Sequence, residues 1–78
     1  MSQMKYIRIE QGYIVFSDRM SHKAMADSLG HEVLSAGFVE FDAIINGSIR
    51  ASCYGESFSL KKTAHPSDTT FLSRQVNS

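Results

Sequence analysis

Alternating hydrophobic and polar residues near the N-terminus predict a β-hairpin over residues 5–17. A two-residue turn at Gln11-Gly12 would pair Ile9 with Ile14, and the glycine would supply the positive φ that such turns require. Four apolar side chains would then share one face of the hairpin: Ile7, Ile9, Ile14 and Phe16. A register slip of one residue would move the apolar side chains of one strand to the opposite face. The shared apolar face of the two strands therefore defines which side of the hairpin is buried.

Two further segments have the start and stop signals of short helices. The first is predicted over 21–30, where Ser21 is suited to the N-cap and Gly30 to a left-handed residue just past the end. The second is predicted over 66–76, where Pro66 suits the first helical position because its missing N–H has no partner there. The second helix would be marginal alone and must dock on the sheet or on a partner.

Residues 32–62 are predicted to form a three-stranded meander. Asn46-Gly47 is the strongest turn signal in the chain, and Gly55-Glu56 is the second. The second turn would place Cys53 opposite Phe58 on the apolar face.

A regular ladder from the Asn46-Gly47 turn would pair Ile44 with Ile49 but then place a polar residue on the apolar face. One extra residue near positions 42–43 restores the pattern and places Phe41 beside Ala51. A β-bulge is therefore predicted at 42–43, since a bulge sets two residues against one.

These elements predict a single domain over 1–78 of the α+β class, with the order ββαβββα. The expected architecture has two layers: a mostly antiparallel sheet of about five strands with two short helices on one face. The other face would remain open to solvent or to a partner. The pattern leaves open whether the hairpin at 5–17 shares a sheet with the meander.

Composition narrows the possible functions. The 78 residues include 8 Lys or Arg and 8 Asp or Glu, and this balance disfavours a protein that binds nucleic acid or membranes by bulk positive charge. No apolar run is long enough for a spanning helix, and the N-terminus lacks the apolar region of a signal peptide. We therefore expect a cytoplasmic protein, of the size common among small bacterial and phage proteins.

Few residues are candidates for catalysis or metal binding. The spacing of His22, His31 and His65 fits no metal-ligand pattern, so we interpret them as solvated residues near turns. Cys53, the single cysteine, falls on the predicted apolar face, where burial would make its thiol inert. We expect no enzymatic activity, no cofactor and no metal.

The open sheet face is the predicted interaction surface, because tyrosine and arginine are enriched at protein interfaces. It is expected to comprise Tyr6, Arg8, Tyr13, Val15, Arg50 and Tyr54. The favoured function is a small protein-interaction module, either a homodimer or an accessory or inhibitory subunit of a larger host assembly. The alternative is weak binding of RNA or single-stranded DNA, with Arg50, Lys61 and Lys62 as the anion contacts.

Overall fold

The fold, taken from a computed structural model, is described for residues 3–44 and 46–78. It belongs to the α+β class, as predicted. The elements in chain order are β1 (Met4–Ile9), β2 (Gly12–Phe16), α1 (His22–Leu29), β3 (Ser35–Ala43), β4 (Ile49–Tyr54), β5 (Glu56–Ser57), β6 (Lys62–Thr63) and α2 (Asp68–Asn77).

The strands form a four-stranded antiparallel sheet in the order β2-β1-β3-β4 and a separate two-stranded sheet of β5 and β6. The N-terminal hairpin therefore shares a sheet with the later strands, through the pairing of β1 with β3. The small β5–β6 hairpin packs against β3.

The two helices cover opposite faces of the main sheet, so the prediction of both helices on one face was wrong. Ile7 and its neighbours on one face form a core with Ala26 of α1. Tyr6 and its neighbours on the other face form a second core with Leu72 of α2. Consecutive residues of a strand point to opposite faces, so the second face is a second core rather than an open surface.

The first hairpin turns one residue earlier than predicted. The turn lies at Glu10 and Gln11, and Ile7 rather than Ile9 pairs with Ile14. This changes the pairing partners by two positions, which preserves the faces because side chains alternate with a period of two. Ile7, Ile9, Ile14 and Phe16 therefore still pack in one core.

The pairing of β3 with β4 confirms the predicted partner of Phe41, but the predicted pairing of Ile44 with Ile49 and the predicted bulge were wrong. Phe41 pairs with Ala51, as expected, in an uninterrupted ladder that reaches Ala43 opposite Ile49. The extra residue lies in the turn instead, which closes from Ile44 N–H to the carbonyl of Ser48 at 2.9 Å. Gly47 supplies the left-handed conformation with φ of 84°, as in a hairpin loop one residue longer than predicted.

The predicted third strand of the meander does not form, so the pairing of Cys53 with Phe58 was wrong. After β4 the chain leaves the sheet edge, and Phe58 is 85% exposed. The physical reason is that α2 already occupies this edge. The N–H groups of Ile49, Ala51 and Cys53 donate hydrogen bonds to side chains of α2 at distances of 2.9, 2.9 and 3.0 Å.

The side chains that hold this edge recur every fourth residue along α2: Thr69, Ser73 and Asn77. A fourth side chain reaches the other edge of the sheet. Gln75 accepts from the Tyr13 N–H and donates to the Tyr13 carbonyl, both at 2.9 Å. Helix α2 thus binds both edge strands, β2 and β4, and covers main-chain groups that could otherwise pair with another chain.

Helix α1 has the predicted ends. The hydroxyl of Ser21 accepts from the Ala24 N–H at 3.0 Å, and Gly30 ends the helix with φ of 70°. Helix α2 begins at Asp68, two residues after Pro66, which lies in the preceding turn.

Candidate interaction surface

The predicted interaction face is divided between the two sides of the sheet, so it does not exist as one surface. Tyr6 is fully buried and Tyr13 is 8% exposed, both beneath α2. Arg8 and Val15 lie on this same covered face and are half-buried. The sequence reasoning failed here because it assigned α2 to the other face.

The buried tyrosines converge on Asp68, a fully buried carboxylate at the start of α2. The hydroxyl of Tyr6 donates to one carboxylate oxygen at 2.6 Å, and that of Tyr13 donates to the other at 2.7 Å. The His65 N–H adds a third bond at 2.9 Å. Burial opposes the charge, but these hydrogen bonds outweigh it and hold the pKa of Asp68 below its ordinary value.

Arg8 completes this cluster from its solvent side. Its guanidinium lies 3.8 Å from the Asp68 carboxylate and over the rings of Tyr13 and Phe71, at 5.5 and 5.4 Å from their centroids. Burial, followed by the bond to Asp68, raises the pKa of both Tyr6 and Tyr13. With Asp68 and Tyr6 inaccessible, the cluster anchors α2 to the sheet and is not a surface for a substrate.

The remaining two residues of the predicted face, Arg50 and Tyr54, lie on the α1 side of the sheet. Tyr54 stacks on Phe38 with ring centroids 6.1 Å apart, and its hydroxyl accepts from the Gln3 side chain at 2.6 Å. Arg50 pairs in register with Asp42, which places an acidic residue opposite it.

The three cations of the alternative nucleic-acid site are not grouped on one strand. Arg50 is on β4, whereas Lys61 and Lys62 are on the β5–β6 hairpin. Lys62 also lines a groove whose other charged residues are the acidic Asp27 and Glu32. The three cations therefore come from two different elements, and one of them faces acidic residues.

The prediction that His22 is solvated was wrong. This residue is 4% exposed, and its Nε2 atom lies 2.8 Å from the Gly37 carbonyl oxygen. Its ring meets Phe16 and Phe38 edge to face. Burial lowers the pKa of His22, which favours the neutral ring. Sequence periodicity gave no signal for this, because His22 is the first residue of a short helix.

The other candidates for metal binding or catalysis are His31, His65 and Cys53. His31 and His65 are exposed, and the hydrogen bonds of the His65 ring are local, with the Ser67 hydroxyl at 2.7 Å and from the Ser67 N–H at 3.2 Å. Cys53 is half-buried and free, and burial raises the pKa of its thiol to about 11. Within residues 3–44 and 46–78 the structure contains no cluster of three or more metal-ligating side chains.

The most exposed large apolar side chain among the described residues is Phe58, in the tip of the β5–β6 hairpin (residues 58–61). The tip is held from both sides. The Ser57 hydroxyl, which is buried, accepts from the Leu60 N–H at 3.4 Å. The Lys61 N–H donates to the Phe58 carbonyl at 3.3 Å, and Lys61 has a φ of 56°. Leu60 packs against the α1 core, so Phe58 is displayed by an anchored turn.

A groove lies between this hairpin and the C-terminal end of α1, which we call the α1 groove. Its volume is about 420 Å³. Its apolar lining comes from Ala26 and Val33 on one side and from Leu60 of the hairpin on the other. The hairpin therefore carries an exposed aromatic ring and also forms one wall of a groove.

Comparison with protein-family models, with curated proteins and with solved structures finds no match in any of the three. Among the described helices, none is both long and apolar enough to span a membrane. Functional inference must therefore come from the geometry of this chain.

Proposed function

We propose that this chain is a non-enzymatic protein-binding module whose binding element is the β5–β6 hairpin, with Phe58 as the anchor. The observation that carries the proposal is the 85% exposure of Phe58. Burying a phenylalanine side chain contributes about 1.5–3 kcal/mol. A partner that covers the ring would gain this contribution, which the isolated chain does not use.

The conformation of the tip supports this role. Lys61 occupies the left-handed region at φ 56°, which costs a non-glycine residue on the order of 1 kcal/mol. Bonds from Leu60 and Lys61 nevertheless hold the turn in this form. A partner therefore meets the aromatic side chain on a hydrogen-bonded turn, which reduces the conformational entropy lost on binding.

The chemistry of the tip defines the site that would receive it. Phe58 requires an apolar cavity, and the neighbouring Lys61 and Lys62 favour carboxylates at the rim of that cavity. The partner is a second copy of the chain or a subunit of a larger cellular assembly. We place this binding in the cytoplasm, where a free thiol such as that of Cys53 persists.

The test is site-specific photo-crosslinking in cells that express the chain. Phe58 is replaced by the photo-crosslinker p-benzoylphenylalanine, and the matched control carries it at Ile44, another exposed apolar position at 47% exposure. We expect one discrete adduct from position 58 and none from position 44. Absence of an adduct at position 58, or equal labelling at both positions, would overturn the proposal.

A purified adduct partner then gives a quantitative test. Phe58→Ser should weaken its binding by at least about tenfold, whereas Ile44→Ser should leave the affinity unchanged. Both variants should unfold within about 0.5 kcal/mol of the wild type, since both side chains are exposed.

A further inference from the structure

We infer that the protein bound by the hairpin is a second copy of this chain, and that Phe58 of each copy enters the α1 groove of the other. This inference rests on the proposed function and adds the identity of the partner. The groove has the properties that the tip requires: an apolar lining and, beside it, the carboxylates of Asp27 and Glu32.

The apolar lining of the groove is continuous with the core. Ala26 and Val33 are buried members of the α1 core, and Leu60 packs against that core. A ring placed over these three residues would bury apolar surface on both partners. This is the arrangement in which an aromatic anchor contributes most to binding.

The charges of the groove and the tip are complementary. Asp27 and Glu32 line the groove, and a smaller neighbouring groove shares Glu32 and adds Glu10. Asp27 forms an exposed ion pair with Lys23 at 3.4 Å, whereas Glu32 forms none among the described residues. Lys62 of the same chain also lines the groove, so its charged lining is two carboxylates and one ammonium group. An incoming Lys61 would meet this excess of negative charge beside the apolar lining, which favours this docking over docking on a basic surface.

The proximity of tip and groove permits a closed dimer. Since Leu60 and Lys62 of the hairpin line the groove, one two-fold axis near the hairpin can bring both tip-to-groove contacts together. A two-fold contact of this kind is satisfied by two copies and does not propagate into a filament.

The first experiment measures the mass of the purified chain by sedimentation from about 1 μM to about 1 mM. We expect a reversible monomer–dimer equilibrium. Phe58→Ser should raise the dimer dissociation constant by about tenfold for each of the two equivalent contacts, or roughly a hundredfold. Ile44→Ser is the matched control and should associate like the wild type.

The second experiment exchanges charges between the two surfaces. Lys61→Glu places like charges in both contacts of a dimer, and so does Glu32→Lys, so each variant alone should be more monomeric than the wild type. An equimolar mixture of the two variants restores opposite charges at both contacts and should form a mixed dimer. Arg19→Glu, a reversal at an exposed position in the turn before α1, should have no effect in either setting.

The outcomes separate this inference from the proposed function. A chain that stays monomeric throughout the range, or variants that fail to associate when mixed, would overturn the inference of a self-partner. A position-58 adduct with a different protein would also overturn it, yet would leave the proposed function standing. An adduct of twice the chain mass, with the link mapped to residues 26–33 of the second copy, would support both.

Discussion

Removal of the buried charge at Asp68 is the sharpest test of how the fold is held together. Asp68→Asn preserves the shape of the side chain but replaces one acceptor oxygen by a donor NH₂ group. The amide oxygen can still accept from Tyr6 and from the His65 N–H, which share one carboxylate oxygen. The other oxygen, which accepts from Tyr13 and faces Arg8, is lost.

The expected cost follows from these contacts. A hydrogen bond to a charged group contributes about 1.5–3 kcal/mol, and the Arg8 ion pair adds little because it is long and partly exposed. We expect Asp68→Asn to lower the free energy of unfolding by about 2–4 kcal/mol. Asp68→Ala should cost about 3–5 kcal/mol, since it leaves two buried hydroxyls without their acceptor. A domain of this length has a total stability of roughly 4–12 kcal/mol.

Urea denaturation followed by circular dichroism measures these changes, and the pH dependence supplies a second readout. Because the pKa of Asp68 is lowered on folding, its contribution is present above the ordinary value of 3.8 and is lost as the pH falls through the folded-state pKa. The difference between wild type and Asp68→Asn should therefore shrink in acid. A cost below about 1 kcal/mol at neutral pH, or a difference that grows in acid, would refute this account of the cluster.

Three further predictions concern one buried and two half-buried side chains. The pKa of His22 is lowered by burial, so stability should decline as the pH falls from 6.5 toward its folded-state pKa, and His22→Gln should remove that part of the urea-midpoint profile. The Cys53 thiol, with its pKa raised to about 11 from 9.0, should react with iodoacetamide roughly a hundredfold more slowly in the native state than in urea, as followed by mass spectrometry. Ser73→Ala removes the partner of the Ala51 N–H and should cost about 1–2 kcal/mol in urea denaturation and speed hydrogen exchange at that amide.

Local patterns predicted much of the fold, because their signals lie within a few residues of the features that they specify. Ser21 and Gly30 delimit α1 through their own capping contacts. The faces of the first hairpin are correct although its turn is displaced, since a change of two positions preserves parity. The predicted partner of Phe41 is correct because this register keeps Phe41 and Ala51 together in an apolar layer.

The long-range features could not be predicted in this way. In the sequence, Tyr6 and Tyr13 look like strand residues on a solvent-exposed face. Their burial depends on α2 and on hydrogen bonds to Asp68, which lies more than 50 positions away in the chain. Asp68 itself gives no signal of this role, because an acidic residue in the first turn of a helix is favourable for local reasons alone. Phe58 was assigned to the core because a two-residue turn at Gly55-Glu56 would pair it with Cys53, and no local signal indicates that α2 occupies the edge of β4.

Phe58 is exposed although the protein has apolar cores in which it could be buried. The chain builds two separate apolar layers, one on each face of the sheet, and turns Leu60 of the same hairpin into the first of them. It also covers main-chain groups of both edge strands with side chains of α2, through Gln75 on β2 and Ser73 on β4. Part of each sheet edge is therefore covered by α2, at Tyr13 on β2 and at Ile49, Ala51 and Cys53 on β4. This leaves less edge for strand addition and favours association through the exposed side chain of Phe58.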